Sequence, residues 1–542
     1  MGRPPATLDR CPVSLKWKLS RSVPEDTARC GKLFPEDGLH RTIGDRFGEL
    51  FPDESAFASL YCTTGRSAIS PLLLALVTVL QMLERVPDRT AAEWVVSRMD
   101  WKYALHLPLD YPGFHHTALH AFRQRLLAHG EEALVFDRLL SRLQEMGLIQ
   151  PHGRVRTDST HVVAQVNRLS QWELVHESLR DALGAVEREA PAWAEEVLPA
   201  ACRETYAQRQ SDFHLSRVEI QRRLRQAGRD GFWFLARVAA SNREDVNALS
   251  EVVLLQQVLA QQFPAGGEEP PAAKRPAGGE VIETPHDPQV RMATKRQHSW
   301  LGFKAHITES CEDDLPAFIT DVAVTLAPTF DGKALPGIQE RLRERGLVPA
   351  GQYVDASYVS GDSLVASAAQ GITLWGEVQP DHGGPPGFRQ QDFAIDEAQG
   401  EARCPRGARS VSWSPRAVAG AQDPLVQVRF AGSVCQACPD FGRCTDSVHG
   451  RSLTLNAHRR VLAERREEAA TPAFRREMRR RAGIEGTISE LVRAHGQRHT
   501  RYRGLKKLRL QTLFTAVAAN LKRLVRWWRR SAGAAERAPA AA

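Results

Sequence analysis

The stretch VRTDSTHVVAQV, residues 155–166, sets β-branched residues in alternation around a single aspartate, Asp158. A period of two is the pattern of a strand, and Pro151, His152 and Gly153 turn the chain into it. Aspartate is a poor strand former. One placed mid-strand is expected either to be buried with a partner or to stand at a functional rim.

Further along, HSWLGFKAHITES (298–310) and LPAFITDVAVTLAP (315–328) read as two consecutive strands. A helix follows over 332–345, with Asp331 in the capping position. QYVDASYVS (352–360) holds a short apolar strand ending on Asp355, a helix covers 361–370, and ITLWGEV (372–378) is a fifth strand. The chain closes with helices over 458–468, 471–495 and 511–528, the second opened by Thr471 and Pro472, a strong start signal. With two insertions lifted out, the order is β-β-β-α-β-α-β-α. That order predicts an α/β fold, an RNase H-like mixed β-sheet flanked by helices. The expected organisation is an irregular segment (1–42), a helical N-terminal domain suited to binding DNA ends (43–150) and a catalytic core (151–169 and 296–380). A helical insertion (170–263) without an assignable job and a flexible linker (264–295) interrupt that core. A Cys-rich insertion (381–455), C-terminal catalytic and basic helices (456–530) and a disordered tail (531–542) follow.

Two further acids join Asp158 in this frame. Asp355 ends its strand just past Val354, where open α/β sheets place their ligand-binding groups. Glu485 lies beside the inward stripe Ile484, Ile488, Leu491 and Val492, flanked by Gly483 and Gly486. Alone, each has a plainer use: a strand-end aspartate is commonly a turn or cap residue, and Glu485 has Arg481 four residues back as a salt-bridge partner. Glu490 competes for the third place. Three carboxylates brought together are hard oxygen ligands for Mg²⁺ or Mn²⁺, the ions used in two-metal phosphoryl transfer.

Charge points the same way. Residues 457–511 hold sixteen Lys/Arg against six Asp/Glu, so the rest of a chain with net charge +8 is slightly acidic. A basic excess confined to one tenth of the sequence suits a phosphate surface. Lys304 and His306, two apart on a strand, share a face and are candidate phosphate contacts. Cys404, Cys435, Cys438 and Cys444 fall in the second insertion and supply four thiolates for a structural Zn²⁺, although the C-x2-C-x5-C spacing is looser than a zinc ribbon's. Cys11, Cys30, Cys62, Cys202 and Cys311 lack ligand spacing and read as small buried residues. No GxxxxGK[ST] loop suggests an ATP-driven step.

Over most of residues 43–528 the chain resembles the DDE transposases of bacterial insertion sequences, in the branch with a helical N-terminal domain and an RNase H-like catalytic core. The matching motifs are VRTDSTHV around Asp158, WLGFKAH (300–306), YVDASYVSGD around Asp355, and IEGTISELVRAHGQRHTRYRGLKKLRLQ from Ile484. The resemblance implies that Asp158, Asp355 and Glu485 are the catalytic, metal-binding acids. It implies Arg501, Tyr502, Arg503 and Lys506 as the grip on the element end, with Arg493, Arg498 and Lys507 in the same basic stretch. The implied reaction is metal-dependent cleavage at element ends, then attack of the freed 3′-OH on target DNA. The implied partners are double-stranded terminal inverted repeats and target DNA, bound by a homodimer. An RNase H-like nuclease and a non-catalytic domesticated DNA-binding relative remain as alternatives. The insertion at 170–263 and the 130-residue gap between Asp355 and Glu485 depart from the bare fold. A start without an apolar leader and an odd cysteine count predict a reducing bacterial cytoplasm, at the nucleoid, with no membrane partner.

Overall fold

A computed structural model describes residues 19–51, 54–62, 67–263, 278–295, 297–379, 384–416 and 425–537. Its centre is the helix Pro71–Glu84, capped by Ser70, whose hydroxyl accepts the Leu73 N–H at 3.1 Å, with Pro71 in the first turn. The helix is apolar on every side, so it must be enclosed, and residues 71–82 are all buried. It shares one hydrophobic core with Phe122 and Phe136 from the N-terminal helices, Ile307 and Val322 from the sheet, Ile484, and Leu513 and Leu524 of the last helix. The N-terminal helices expected as a domain of their own therefore share one core with the sheet and the C-terminal helices.

The sheet contains β1 (Arg154–Val163), β2 (Arg291–Lys295), β3 (His298–Ser310), β4 (Ile319–Leu326), β5 (Gly351–Tyr353) and β6 (Thr373–Trp375). β3 runs antiparallel to β1, and β2 and β4 lie end to end along its other edge. β5 and β6 continue the sheet beyond β1 in parallel. This mixed sheet, with its crossover helices Leu335–Glu344 and Gly361–Ala369, fits an RNase H-like core. On β4, Asn520 of the last helix holds both backbone groups of Ile319, at 2.8 and 2.9 Å. Buried backbone polar groups need such partners.

Several expectations change. Of the linker assigned to 264–295, residues 264–277 lie outside the described residues, but 278–295 are packed. Ile282 joins the core of the helical insertion, Val290 packs with Phe303 and Leu508, and β2 adds a strand. The Pro-Gly run masked the apolar residues that follow it. In the N-terminal segment expected to be irregular, Glu25–Cys30 and Leu39–Asp45 are short helices; residues 1–18, with Cys11, lie outside the described residues. The last helix spans Leu505–Arg537, through most of the expected tail, and 538–542 lie outside the described residues. The insertion at 170–263 has its own core, in which Trp172, Leu179, Phe234 and Leu259 bring together Gln171–Glu189, Arg217–Ala240 and Ser250–Gln262. No helix among the described residues is long and apolar enough to cross a membrane.

The helix expected over 471–495 is split. Pro472–Met478 starts as expected on the Thr471 cap, a 3-10 turn covers Arg479–Ala482, and Gly483–Arg493 continues. Arg156 of β1 donates to the Arg480 carbonyl at 2.9 Å, taking it as an acceptor. A Cβ at Gly483 would lie 1.9 Å from the same guanidinium, so a larger residue there would have to push Arg156 off the Arg480 carbonyl.

Candidate active site

Asp158 and Glu485 meet through one cation. Arg481, in the 3-10 turn, donates to Asp158 Oδ2 at 2.8 Å and to Glu485 Oε1 at 3.4 Å. Asp158 is 14 % exposed and Glu485 70 %, so the pair runs from the sheet interior to the surface. Asp158 Oδ1 also accepts the Ser159 N–H at 2.7 Å. Burial pushes the Asp158 carboxyl up to about 6; Arg481 opposes this, and the nearby charge of Asp355 adds to it. Asp355 stands just beyond β5 as the N-cap of the turn Ala356–Tyr358, accepting from the Ser357 N–H at 2.8 Å and from its hydroxyl. A strand, a post-strand turn and a helix thus bring the three acids to one region.

Glu490, the competitor for the third place, points elsewhere. It takes Arg523 of the last helix at 3.0 Å, with Lys522 and Arg526 also within reach. Its neighbour in that interface is Glu309, fully buried on β3, which binds Arg156 at 2.7 Å, Arg523 at 2.8 Å and the Thr487 hydroxyl. This hub locks the Gly483–Arg493 helix to the sheet. Nothing in the sequence marked Glu309, because its partners lie far along the chain.

Lys304 and His306 are not on the Asp158 side. Register pairs Asp158 with Ile307, and Ser159 with His306. Period-two alternation then sends Lys304 and His306 to the opposite face. His306 has no exposed surface; its ring nitrogens bond the Tyr358 hydroxyl and, at 3.0 Å, the Thr325 hydroxyl. Burial pushes its imidazole down to about 4, leaving it neutral and closed to DNA. Lys304 is bound to Asp331 at 2.8 Å and to the Thr329 carbonyl at 2.7 Å. Asp331, expected as a helix cap, makes no cap bond. Its Oδ2 accepts from Ser159 and Ser357, each at 3.0 Å. Burial raises the Asp331 carboxyl, but Lys304 outweighs that and holds it below the usual range.

The basic stretch divides in two. Arg498 donates to the Thr160 hydroxyl at 3.2 Å and the His161 carbonyl at 2.6 Å, and residues 498–500 bond the backbone of Val163. Arg501 donates to the Val86 carbonyl at 2.8 Å, and Tyr502 lies under Arg123. These residues dock the loop beside β1. Arg493, Arg503 and Lys506 are exposed, and Lys507 is half-buried.

All four insertion cysteines line one cavity of about 210 Å³ with Phe388 and Phe430. Burial pushes the Cys444 thiol up, and the other three sulphurs add to the rise. Cys311 is buried, Cys30 and Cys202 are half-buried, and Cys62 is exposed rather than buried as expected. Among the described residues, no three His, Cys, Asp or Glu side chains are gathered as a ready metal cage. Between Asp158 and Glu485 stands the Arg481 guanidinium.

Two families match the chain. One described as a transposase DDE domain covers residues 403–525, and one described as a transposase domain covers 29–125. The first includes Glu485 and the four cysteines but neither aspartate. The two matched regions pack into the same core around the Pro71–Glu84 helix. No curated protein and no solved structure matches the chain.

Proposed function

We propose, on the premise that the two matched regions mark a DDE transposase of insertion-sequence type, that Asp158, Asp355 and Glu485 form its acidic centre. In this reading the enzyme cleaves DNA at element ends and joins the freed 3′ end to target DNA. The observation that carries it is Arg481 drawing together two acids more than three hundred residues apart, with Asp355 close enough to raise the Asp158 carboxyl.

The donor chemistry suits a hard divalent cation, since all three groups are carboxylates, and Asp158 and Glu485 already share one positive charge. Asp158, Asp355 and Glu485 would hold Mg²⁺ or Mn²⁺, which supplies charge stabilisation for phosphoryl transfer. Above pH 6 Asp158 is ionised and ready for a cation. Arg481 offers a guanidinium to a phosphate beside the acids. Exposed Arg493, Arg503 and Lys506, with Lys507, hold the DNA backbone. Arg498 acts indirectly, by fixing that loop to β1, and Arg501 and Tyr502 do so by fixing it to Val86 and Arg123 of the N-terminal helical region. Joining two inverted-repeat ends to one target requires a homodimer on DNA. In the second insertion, Cys404, Cys435, Cys438 and Cys444, which line one cavity, would hold a structural Zn²⁺ that lets the insert fold with a small core.

The test is product analysis with Mg²⁺ and duplexes carrying the inverted repeats that flank the coding sequence. A transposase yields end cleavage and products in which the element's 3′ end is joined to target DNA. Cleavage without joining, indifferent to the repeat sequence, would make the chain a nuclease instead.

A further inference from the structure

The side of the sheet facing away from Arg481 carries a buried polar network that the proposed reaction does not use. Its hub is Asp331, 5 % exposed. One carboxylate oxygen accepts from both Ser159 and Ser357 at 3.0 Å, while the other takes Lys304 at 2.8 Å. Ser159 is the residue after Asp158, and the pleat sends its side chain to the opposite face. Ser357 donates its backbone N–H to Asp355 Oδ1, and its single hydroxyl proton is shared between Asp355 Oδ1 and Asp331 Oδ2. Asp331 is therefore one hydrogen bond from the side chain of Ser159, the residue after Asp158 on β1, and one shared hydroxyl from Asp355 itself.

We propose that Asp331 is a positioning residue that clamps Ser159 and Ser357 to a single oxygen and so fixes the spacing between Asp158 and Asp355. This rests on the reading of those two aspartates as the cation-holding acids. β1 and β5 are joined by only three residue pairs, Arg154–Gly351 to Arg156–Tyr353, and the pairing stops short of both acids. Next to it Gln352 donates to the Thr157 hydroxyl at 2.9 Å, and further along the two serine bonds tie residues 159 and 357 across the gap. Lys304 keeps the carboxylate ionised and aimed, and is itself anchored on the Thr329 carbonyl. Partners in the shell around a cation site commonly change its affinity by about 10- to 100-fold.

The full-length chain is tested as Asp331→Ala, as the double variant Ser159→Ala/Ser357→Ala, and as Asp331→Asn combined with Lys304→Met. The readouts are Mn²⁺ binding followed by electron paramagnetic resonance, and the Mg²⁺ concentration giving half-maximal end cleavage. Asp331→Ala and the serine pair are each expected to weaken Mn²⁺ binding and raise the Mg²⁺ requirement about tenfold, with the rate at saturating Mg²⁺ changed far less. The Asn/Met variant keeps an acceptor for the serines without a buried unpaired charge, and is expected to restore both readouts to within about threefold of wild type, on the same outer-shell scale. The serine pair removes no buried charge, so it reports even where Asp331→Ala unfolds. Unchanged Mn²⁺ binding in the serine pair would overturn the proposal, as would failure of the Asn/Met variant to restore it. Asp158→Asn, run beside them, separates the two levels. If it binds Mn²⁺ and cleaves like wild type, the underlying assignment of the acids fails; if it loses both, only the clamp is in question.

Discussion

Asp158→Asn exchanges a mostly buried carboxylate for a neutral amide of the same shape. Burial and Asp355 push the Asp158 carboxyl up to about 6 even with Arg481 opposing, against an ordinary value of about 3.9. The folded chain thus holds this proton more tightly than the unfolded chain. Below about pH 4 both states are protonated and there is no cost; stability falls as pH rises from about 4 to about 6, and above that the full cost stands. A displacement of about two pH units, at about 1.4 kcal/mol each, sets that cost at roughly 3 kcal/mol. Asparagine resembles the protonated acid and escapes it. In urea unfolding with chelator present, the variant should therefore be more stable than wild type by roughly 3 kcal/mol at pH 7.5, and the gap should close by about pH 4. The reasoning is refuted if the gap is absent, reversed or independent of pH.

Glu309→Ala leaves Arg156 and Arg523 without their buried carboxylate; it should cost about 3–5 kcal/mol, read as a lower unfolding midpoint. Arg503→Ala and Lys506→Ala should each reduce the salt dependence of DNA binding by about one phosphate contact, measured by titration at several salt concentrations. Arg501→Ala, whose guanidinium holds the Val86 carbonyl, should instead lower stability with little change in that slope. One Zn²⁺ per chain should appear in elemental analysis of protein prepared without chelator and vanish in Cys435→Ser/Cys438→Ser; a zinc-free wild type would contradict the Cys-site reading.

What the sequence made legible was local. Alternation around Asp158, the apolar run into Asp355 and the Thr471-Pro472 start all survive as β1, β5 and a capped helix. What it hid depends on distant partners. Asp331 has the residue type and position of a cap, and only the fold reveals that Lys304, Ser159 and Ser357 claim its oxygens. Lys304 and His306 share a face, as their spacing predicts, but that this face lies opposite Asp158 depends on a register between β1 and β3 set across more than a hundred intervening residues. The break at Arg479–Ala482 follows from Arg156 binding a helix carbonyl, an event no helical periodicity carries. The i,i+4 spacing predicts the bond of Arg481 to Glu485, whereas its second bond, to Asp158, depends on the fold.

The most direct test compares Asp158→Asn, Asp355→Asn, Glu485→Gln and Glu490→Gln in Mg²⁺-dependent cleavage of a labelled inverted-repeat end, with DNA binding measured in parallel. The account expects the first three to bind the DNA and fail to cleave it. Glu490→Gln, which loosens the contacts with Arg523, Lys522 and Arg526, should still cleave. Cleavage retained by Glu485→Gln and lost in Glu490→Gln would contradict the acidic centre proposed for this chain.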